Sequence, residues 1–250
     1  MATANIHGFE MYFEDRGSGD PLLLLHGGLG IGDDWRHVFP SDPDGYRVIV
    51  PDLRGHGRST NPSDDFTFRQ CALDVLALLD HLGVSSTKAI GLSMGAKTLL
   101  HAATLRPNAL SSMVRVSATP YFPESLRTAA ALFTQQAFER LTEAERAALR
   151  ARHVHGDAQI AALYAMTRGF ATSSDDMAFT RESLSTITAR TLIVHGDRDS
   201  LYPMELAIEL YRGIPRSALW IVQNGGHGPV FGALAESFRN AALAHLSAEE

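Results

Sequence analysis

Apolar residues recur along this chain in two rhythms. Short runs stand at 22–25, 46–50, 88–90, 110–117, 190–194 and 218–222, the first being four consecutive leucines. Runs of that length without alternation predict strands covered on both faces, as in a parallel sheet. Between them apolar positions return every three or four residues. Phe68, Cys71, Ala72, Val75, Leu76, Leu79 and Leu82 predict a helix over 66–82, with Gly83 as its stop. Further helices are predicted after Gly95, ending near Arg106-Pro107, and at about 203–213 and 229–245. A looser alternation over 6–15 predicts one or two edge strands. A short helix is predicted at 35–39, capped by Asp33 or Asp34. Strands alternating with helices predict an α/β fold, a parallel sheet with helices on both faces.

That alternation breaks after Thr119-Pro120. Residues 121–185 show no strand signal, only two or three helical stretches rich in Ala, Leu and aromatics, one at 143–152 with Thr142 as cap. We read 1–120 and 186–250 as the core and 121–185 as a helical cap lying over the sheet.

Composition narrows the class. A chain of 250 residues suffices for one large α/β domain. At 45% hydrophobic and 20% charged residues it is not a disordered polymer. The net charge of −6 and the scattered basic residues argue against nucleic acid and anionic membranes as partners. Cys71 is the one cysteine, so no internal disulfide forms, and its place in an amphipathic run predicts a buried thiol. No run is long enough to span a bilayer, and Met1 to Asn5 lack the features of a signal peptide. The expectation is a cytoplasmic enzyme.

Candidate chemistry begins at Gly91-Leu92-Ser93-Met94-Gly95, set between a predicted strand and a predicted helix. A serine on so sharp a turn is forced toward positive φ, and flanking glycines remove the clash. The helix start beside it favours developing negative charge. A serine hydroxyl needs a base to take its proton. His195-Gly196-Asp197-Arg198-Asp199 and Gly225-Gly226-His227 each follow a predicted strand, at the sheet edge where Ser93 stands. Ligands bind at that edge of open α/β sheets, so the three groups can converge.

His26-Gly27-Gly28, the run from Asp52 to Ser59 (Asp-Leu-Arg-Gly-His-Gly-Arg-Ser), Gly91 to Gly95, His195 to Asp199 and Gly226-His227 together resemble the α/β-hydrolase fold family over nearly the whole chain. The resemblance implies a mostly parallel eight-stranded sheet with a cap inserted after strand 6. It implies Ser93 as nucleophile, His227 as base and Asp199 as acid, with Asp197 the alternative acid. The N–H groups of Gly28 and Met94 would form the oxyanion hole. Leu29, Tyr121, Phe122, Phe133 and Tyr164 would contact substrate.

No cofactor is implied. His153 and His155 alternate, but no carboxylate–histidine set completes a tetrahedral metal site. Lys97 and Arg115 depart from the family pattern; the first expectation is an ion pair at the core rim, the second a subsite for an anionic group. The implied activity is hydrolysis of a carboxylic ester or lactone of a small to medium, largely apolar substrate. Cleavage of a C–C bond in a ring-fission product, perhydrolysis and ligand reception on the same fold are the alternatives. Epoxide hydrolases and haloalkane dehalogenases of this fold use aspartate as nucleophile, which Ser93 argues against. The expected partner is a small molecule, on a monomer or homodimer.

Overall fold

In the computed structural model, which describes residues 2–63, 66–173 and 176–248, the apolar runs pair into one sheet. Its strands are β1 (Ala2–Ile6), β2 (Phe9–Gly17), β3 (Asp20–Leu25), β4 (Tyr46–Pro51), β5 (Thr87–Leu92), β6 (Leu110–Val116), β7 (Arg190–Gly196) and β8 (Ser217–Val222). The order is β1-β2-β4-β3-β5-β6-β7-β8. The β1–β2 and β2–β4 pairs are antiparallel and all other pairs are parallel.

The four leucines of β3 show why the run is continuous. Leu23 and Leu25 enter the core on one face of the sheet, Leu22 and Leu24 the core on the other. Each side chain so buried contributes about 2 kcal/mol. The helices α1 (Phe68–His81), α2 (Met94–Leu105) and α8 (Met204–Gly213) supply the first face with Val75, Leu99 and Leu210. The last helix, α9 (Ala235–Ser247), and a 3-10 turn at Gly32–His37 supply the second with Phe238 and Trp35.

Helix ends follow local chemistry. The Thr67 side chain accepts the Gln70 N–H at the start of α1, and Gly83 takes φ +67° just past its end. The short helix predicted at 35–39 is instead the 3-10 turn, and neither Asp33 nor Asp34 precedes it. Asp34 reaches back from inside to accept the Ile31 N–H at 3.0 Å. The last helix starts at Ala235 rather than near Pro229, because Gly232 takes φ +65°, which a right-handed helix cannot continue through.

Between β6 and β7 the described residues form five helices: α3 (Glu124–Ala131), α4 (Gln135–Glu139), α5 (Glu143–Arg152), α6 (Asp157–Gly169) and α7 (Arg181–Ser185). Two of them, α4 and α7, have five residues each, too few to show a helical period in sequence. Thr142 and Glu145 cap α5 reciprocally, through bonds of 3.3 and 2.7 Å. A lone antiparallel bridge joins Tyr121 to Ala178. Within the predicted domain ranges, Met1, Asp64, Asp65, Ser174, Asp175, Glu249 and Glu250 lie outside the described residues.

The loop after β4 is stitched to the centre of the molecule. Asp52 accepts the Gly32 N–H at 2.7 Å and the Arg58 N–H at 2.9 Å. A Cβ on Gly57, at φ +56°, would sit 2.1 Å from the Asp52 carboxylate, so only glycine fits. Arg54 pairs with Asp74 at 2.8 and 2.9 Å, both buried. Cys71 is buried, and burial pushes its thiol pKa well up. No helix of the described residues is long and apolar enough to cross a membrane.

Candidate active site

Ser93 occupies the single-residue corner between β5 and α2, at φ 49° and ψ −104°. Such backbone costs about 1–3 kcal/mol and persists only where neighbours over-determine it. Here they do. The Ser93 N–H bonds the Val116 carbonyl at 2.8 Å, and the Ser93 carbonyl accepts from Lys97 at 3.0 Å. The Gly95 N–H bonds the His26 carbonyl at 3.0 Å. A Cβ on Gly95 would lie 2.3 Å from the Leu25 carbonyl oxygen, and one on Gly91 2.7 Å from the Ala96 nitrogen. The two glycines are what let helix, corner and strand meet.

His26 ties the neighbouring loop to this corner. Its Nδ1 donates to the Gly27 carbonyl at 2.8 Å, and its Nε2 accepts the Leu53 N–H at 2.9 Å. That pattern requires the neutral ring, and burial lowers its pKa, against the pull of Asp52. The Gly28 and Met94 N–H groups face no protein acceptor among the described residues, and both residues line the cavity described below.

Asp199 and His227 arrive on two loops in contact. A Cβ on Gly196, at the end of β7, would lie 2.3 Å from the Gly225 carbonyl oxygen after β8. This close approach brings Asp199 to His227. The His227 Nδ1–H donates to Asp199 Oδ2 at 2.9 Å, and the Ser93 hydroxyl donates to His227 Nε2 at 2.9 Å. Asp199 Oδ1 accepts the N–H groups of Leu201 and Tyr202 at 2.8 and 3.1 Å. Burial alone would raise the Asp199 carboxyl, but His227 and those two N–H groups hold it below the usual carboxylate value. Asp197 is exposed, and its N–H bonds the Val222 carbonyl at 3.2 Å.

Ser93 and His227 open on a cavity of about 220 Å³. Its wall is largely apolar, with Leu29, Phe68, Leu126, Phe133 and Phe170 among the lining residues. Of the residues predicted to contact substrate, Leu29 and Phe133 line it. Phe122 and Tyr164 stand behind the wall, Phe122 against Phe68 and Phe170, Tyr164 against Phe133 and Phe138. Tyr121 is 40% exposed, and its hydroxyl donates to Glu209 at 3.2 Å on the surface. The bridge to Ala178 turns it outward. The sequence reading missed Phe68 and Tyr202 as lining residues, and placed Phe170 only among the aromatic residues of the 121–185 segment. Phe68 carried only a packing signal, and Tyr202 only its place three residues beyond Asp199.

The expected ion pairs of Lys97 and Arg115 are absent among the described residues. Arg115 is wholly buried, and its Nε donates to the Ala96 carbonyl at 3.1 Å. Burial alone pushes its pKa down to about 9. Lys97 donates to the Tyr202 hydroxyl instead of a carboxylate. His153 Nδ1 accepts the Gly57 N–H at 3.0 Å, and burial, the largest cause, pushes its pKa down to about 4. His155 Nε2 meets the Arg58 carbonyl at 3.2 Å. No group of three metal-ligating side chains assembles among the described residues.

Chemically, the arrangement offers an alcohol, an acceptor nitrogen for its proton and a carboxylate that fixes the imidazole tautomer. Comparison with known proteins bears on the fold that carries it. Over 92 residues the chain is 42% identical to a soluble epoxide hydrolase of Corynebacterium sp. (strain C12), covering 37% of this chain and only 32% of that one. It is 27% identical to the 2-hydroxy-6-oxo-6-(2'-aminophenyl)hexa-2,4-dienoic acid hydrolase of Metapseudomonas resinovorans, over 97% of this chain and 89% of the relative. The enol-lactonase from Burkholderia xenovorans LB400 superposes with a TM-score of 0.81 at 20% identity, over 99% of this chain and 100% of that one. That likeness speaks to the fold. The family model for the alpha/beta hydrolase fold matches residues 20–233, and with it the chain belongs to the alpha/beta hydrolase fold family, as a hydrolase-class enzyme.

Proposed function

We propose that this hydrolase cleaves a carboxylic ester or lactone of a small to medium, largely apolar substrate through an acyl-enzyme. The observation that carries the reading is the unbroken run of hydrogen bonds from Ser93 through His227 to Asp199, opening on an apolar cavity. Ser93 Oγ attacks the carbonyl carbon while His227 Nε2 takes its proton. Asp199 stabilises the imidazolium and stays ionised. The N–H groups of Gly28 and Met94 receive the carbonyl oxygen as it gains charge. His227 then protonates the leaving oxygen, and a water activated by the same ring releases the acyl group.

Residues 121–185 act as the cap in this reading. Leu126, Phe133 and Phe170 wall the cavity from that segment. A void near 220 Å³ with aromatic walls suits an acyl or alkyl group of modest size. An epoxide hydrolase of this fold would need a carboxylate where Ser93 stands. C–C cleavage of a ring-fission product is the second reading, favoured by the nearly full-length likeness to the dienoic acid hydrolase.

A substrate panel tests the proposal. Acetyl and butyryl p-nitrophenyl esters and simple lactones should turn over with higher kcat/KM than a 2-hydroxy-6-oxo-dienoate. The reverse ranking would make the C–C reading the correct one. Tight binding of these compounds with no turnover of any would make the protein a receptor.

A further inference from the structure

Lys97 is a buried cation on the wall of the catalytic cavity, and the scheme above does not employ it. It lies one helical turn beyond Ser93 on α2 and is 2% exposed. Side chains of a helix lean toward its N-terminus, so the lysine stem runs back toward the Ser93 corner. Its ammonium donates to the Tyr202 hydroxyl. It lies 5.1, 5.4 and 4.6 Å from the ring centroids of Phe68, Phe122 and Tyr202. Lys97, Phe68 and Tyr202 all line the cavity on which Ser93 and His227 open. The Tyr202 ring stands edge-on to the His227 imidazole, with centroids 4.9 Å apart, so ammonium and imidazole pack on the same ring.

No carboxylate of the described residues answers this charge. Asp199 and Asp176 are the acidic groups whose fields reach Lys97, and both are committed elsewhere. Asp199 accepts from Leu201, Tyr202 and His227. Asp176 accepts the N–H groups of Phe68 and Arg69 at the start of α1. An ammonium carries three donors, and the Tyr202 hydroxyl takes one. The aromatic faces attract the charge without completing its hydrogen bonds. Two N–H groups are therefore left for an acceptor that enters the cavity. We propose that Lys97 forms an anion subsite, and that the substrate is an ester or lactone bearing a carboxylate that becomes the counter-ion of this lysine. The proposal rests on the reading of Ser93 as the nucleophile of an esterase, and it adds one charge to an otherwise apolar substrate.

Selectivity at such a subsite is asymmetric. A carboxylate seated on Lys97 gains charge-assisted hydrogen bonds and relieves a charge buried without its partner. A neutral group of the same shape shuts the ammonium further from water and gives it nothing in return. The cavity of about 220 Å³ leaves room for a short chain between that carboxylate and the scissile carbonyl. Leu29, Leu126, Phe133 and Phe170 make the remaining wall apolar and offer no place for a second charge. A carboxylate suits ester and C–C cleavage alike, so the test below uses esters alone and varies only the anion.

The subsite holds an anion only while Lys97 is charged. Burial, the largest cause, pushes its pKa down to about 7, against the pull of Asp199 and Asp176 and together with the push of Arg115. Burial raises the Tyr202 phenol, which stays neutral where Lys97 titrates. The specificity constant kcat/KM reports groups of the free enzyme. Preference for an anionic over a neutral ester should therefore be full below about pH 7 and decline above it. His227 acts on both esters alike, so its own titration cancels in the ratio.

Hydrolysis followed by pH-stat on two isosteric pairs tests this. With the carboxylate on the acyl side, methyl hydrogen succinate is compared with methyl 4-oxopentanoate. With it on the alcohol side, carboxymethyl butyrate is compared with 2-oxopropyl butyrate. Below about pH 7 wild type should favour the acid in one of the pairs by about 10- to 100-fold in kcat/KM, the worth of a hydrogen bond to a charged group. The pair that shows it identifies the side of the ester that reaches Lys97. In Lys97→Met the ratio of acid to neutral ester should fall to one or below. A wild-type ratio near one in both pairs, or a preference that survives in Lys97→Met, would overturn the subsite. The pH series on wild type decides the matter even where that variant fails to fold, because a preference that stays flat from about pH 6 to about pH 9 would also overturn it. No turnover of any of the four esters, with no fluorophosphonate label on Ser93, would instead overturn the nucleophile assignment, and this proposal with it.

Discussion

Ser93→Ala is expected to lower kcat on p-nitrophenyl butyrate by at least about 10⁴-fold, the scale of nucleophile loss in serine triads. The hydroxyl is the one atom removed. Alanine carries the same Cβ at φ 49° as serine, so the strained corner is no worse occupied. The bonds that hold it, Ser93 N–H to Val116 and Gly95 N–H to His26, are all backbone and survive. The melting temperature and KM should therefore stay near wild type while kcat collapses. Ester turnover that persists in this variant would move the chemistry to another site.

The second large effect is expected from Asp199→Asn. The change is nearly isosteric, and the amide oxygen can still accept the Leu201 and Tyr202 N–H groups that Oδ1 receives at 2.8 and 3.1 Å. The amide nitrogen then faces His227 Nδ1, where Oδ2 stood at 2.9 Å. Two N–H groups cannot bond one another, so the imidazole shifts its proton to Nε2. That nitrogen then presents a hydrogen to Ser93 and cannot take one. A fall of about 10⁴-fold in kcat is expected, with KM nearly unchanged. A variant that keeps wild-type kcat would show that the His227 tautomer is set by another group.

Much of this was legible in the sequence, and the reason is geometric. The leucines of β3 face both cores, so their run had to be unbroken, and it was readable as a buried strand. Ser93 follows directly on β5, Asp199 and His227 lie in the loops after β7 and β8, and a parallel sheet brings those ends to one rim. What was not legible depends on how helices cross in space. Phe68 reads as one more apolar position of α1, yet its ring forms cavity wall. Tyr121 reads as part of an aromatic cap, yet the bridge to Ala178 turns it to solvent. Lys97 and Arg115 were expected to find carboxylates, because burial without one is costly. Lys97 found a phenol and three aromatic faces instead, groups contributed by α1, the start of the β6–β7 segment and the loop after β7. No local pattern links those three segments.

The most direct measurement is a map of where a fluorophosphonate attaches, read by peptide mass spectrometry alongside ester turnover. A phosphonyl group on the peptide carrying Ser93, at one per chain, with turnover lost in step and no labelling of Ser93→Ala, is the predicted result. Full labelling elsewhere, or unlabelled Ser93 in a preparation whose ester turnover has been abolished, would contradict the account.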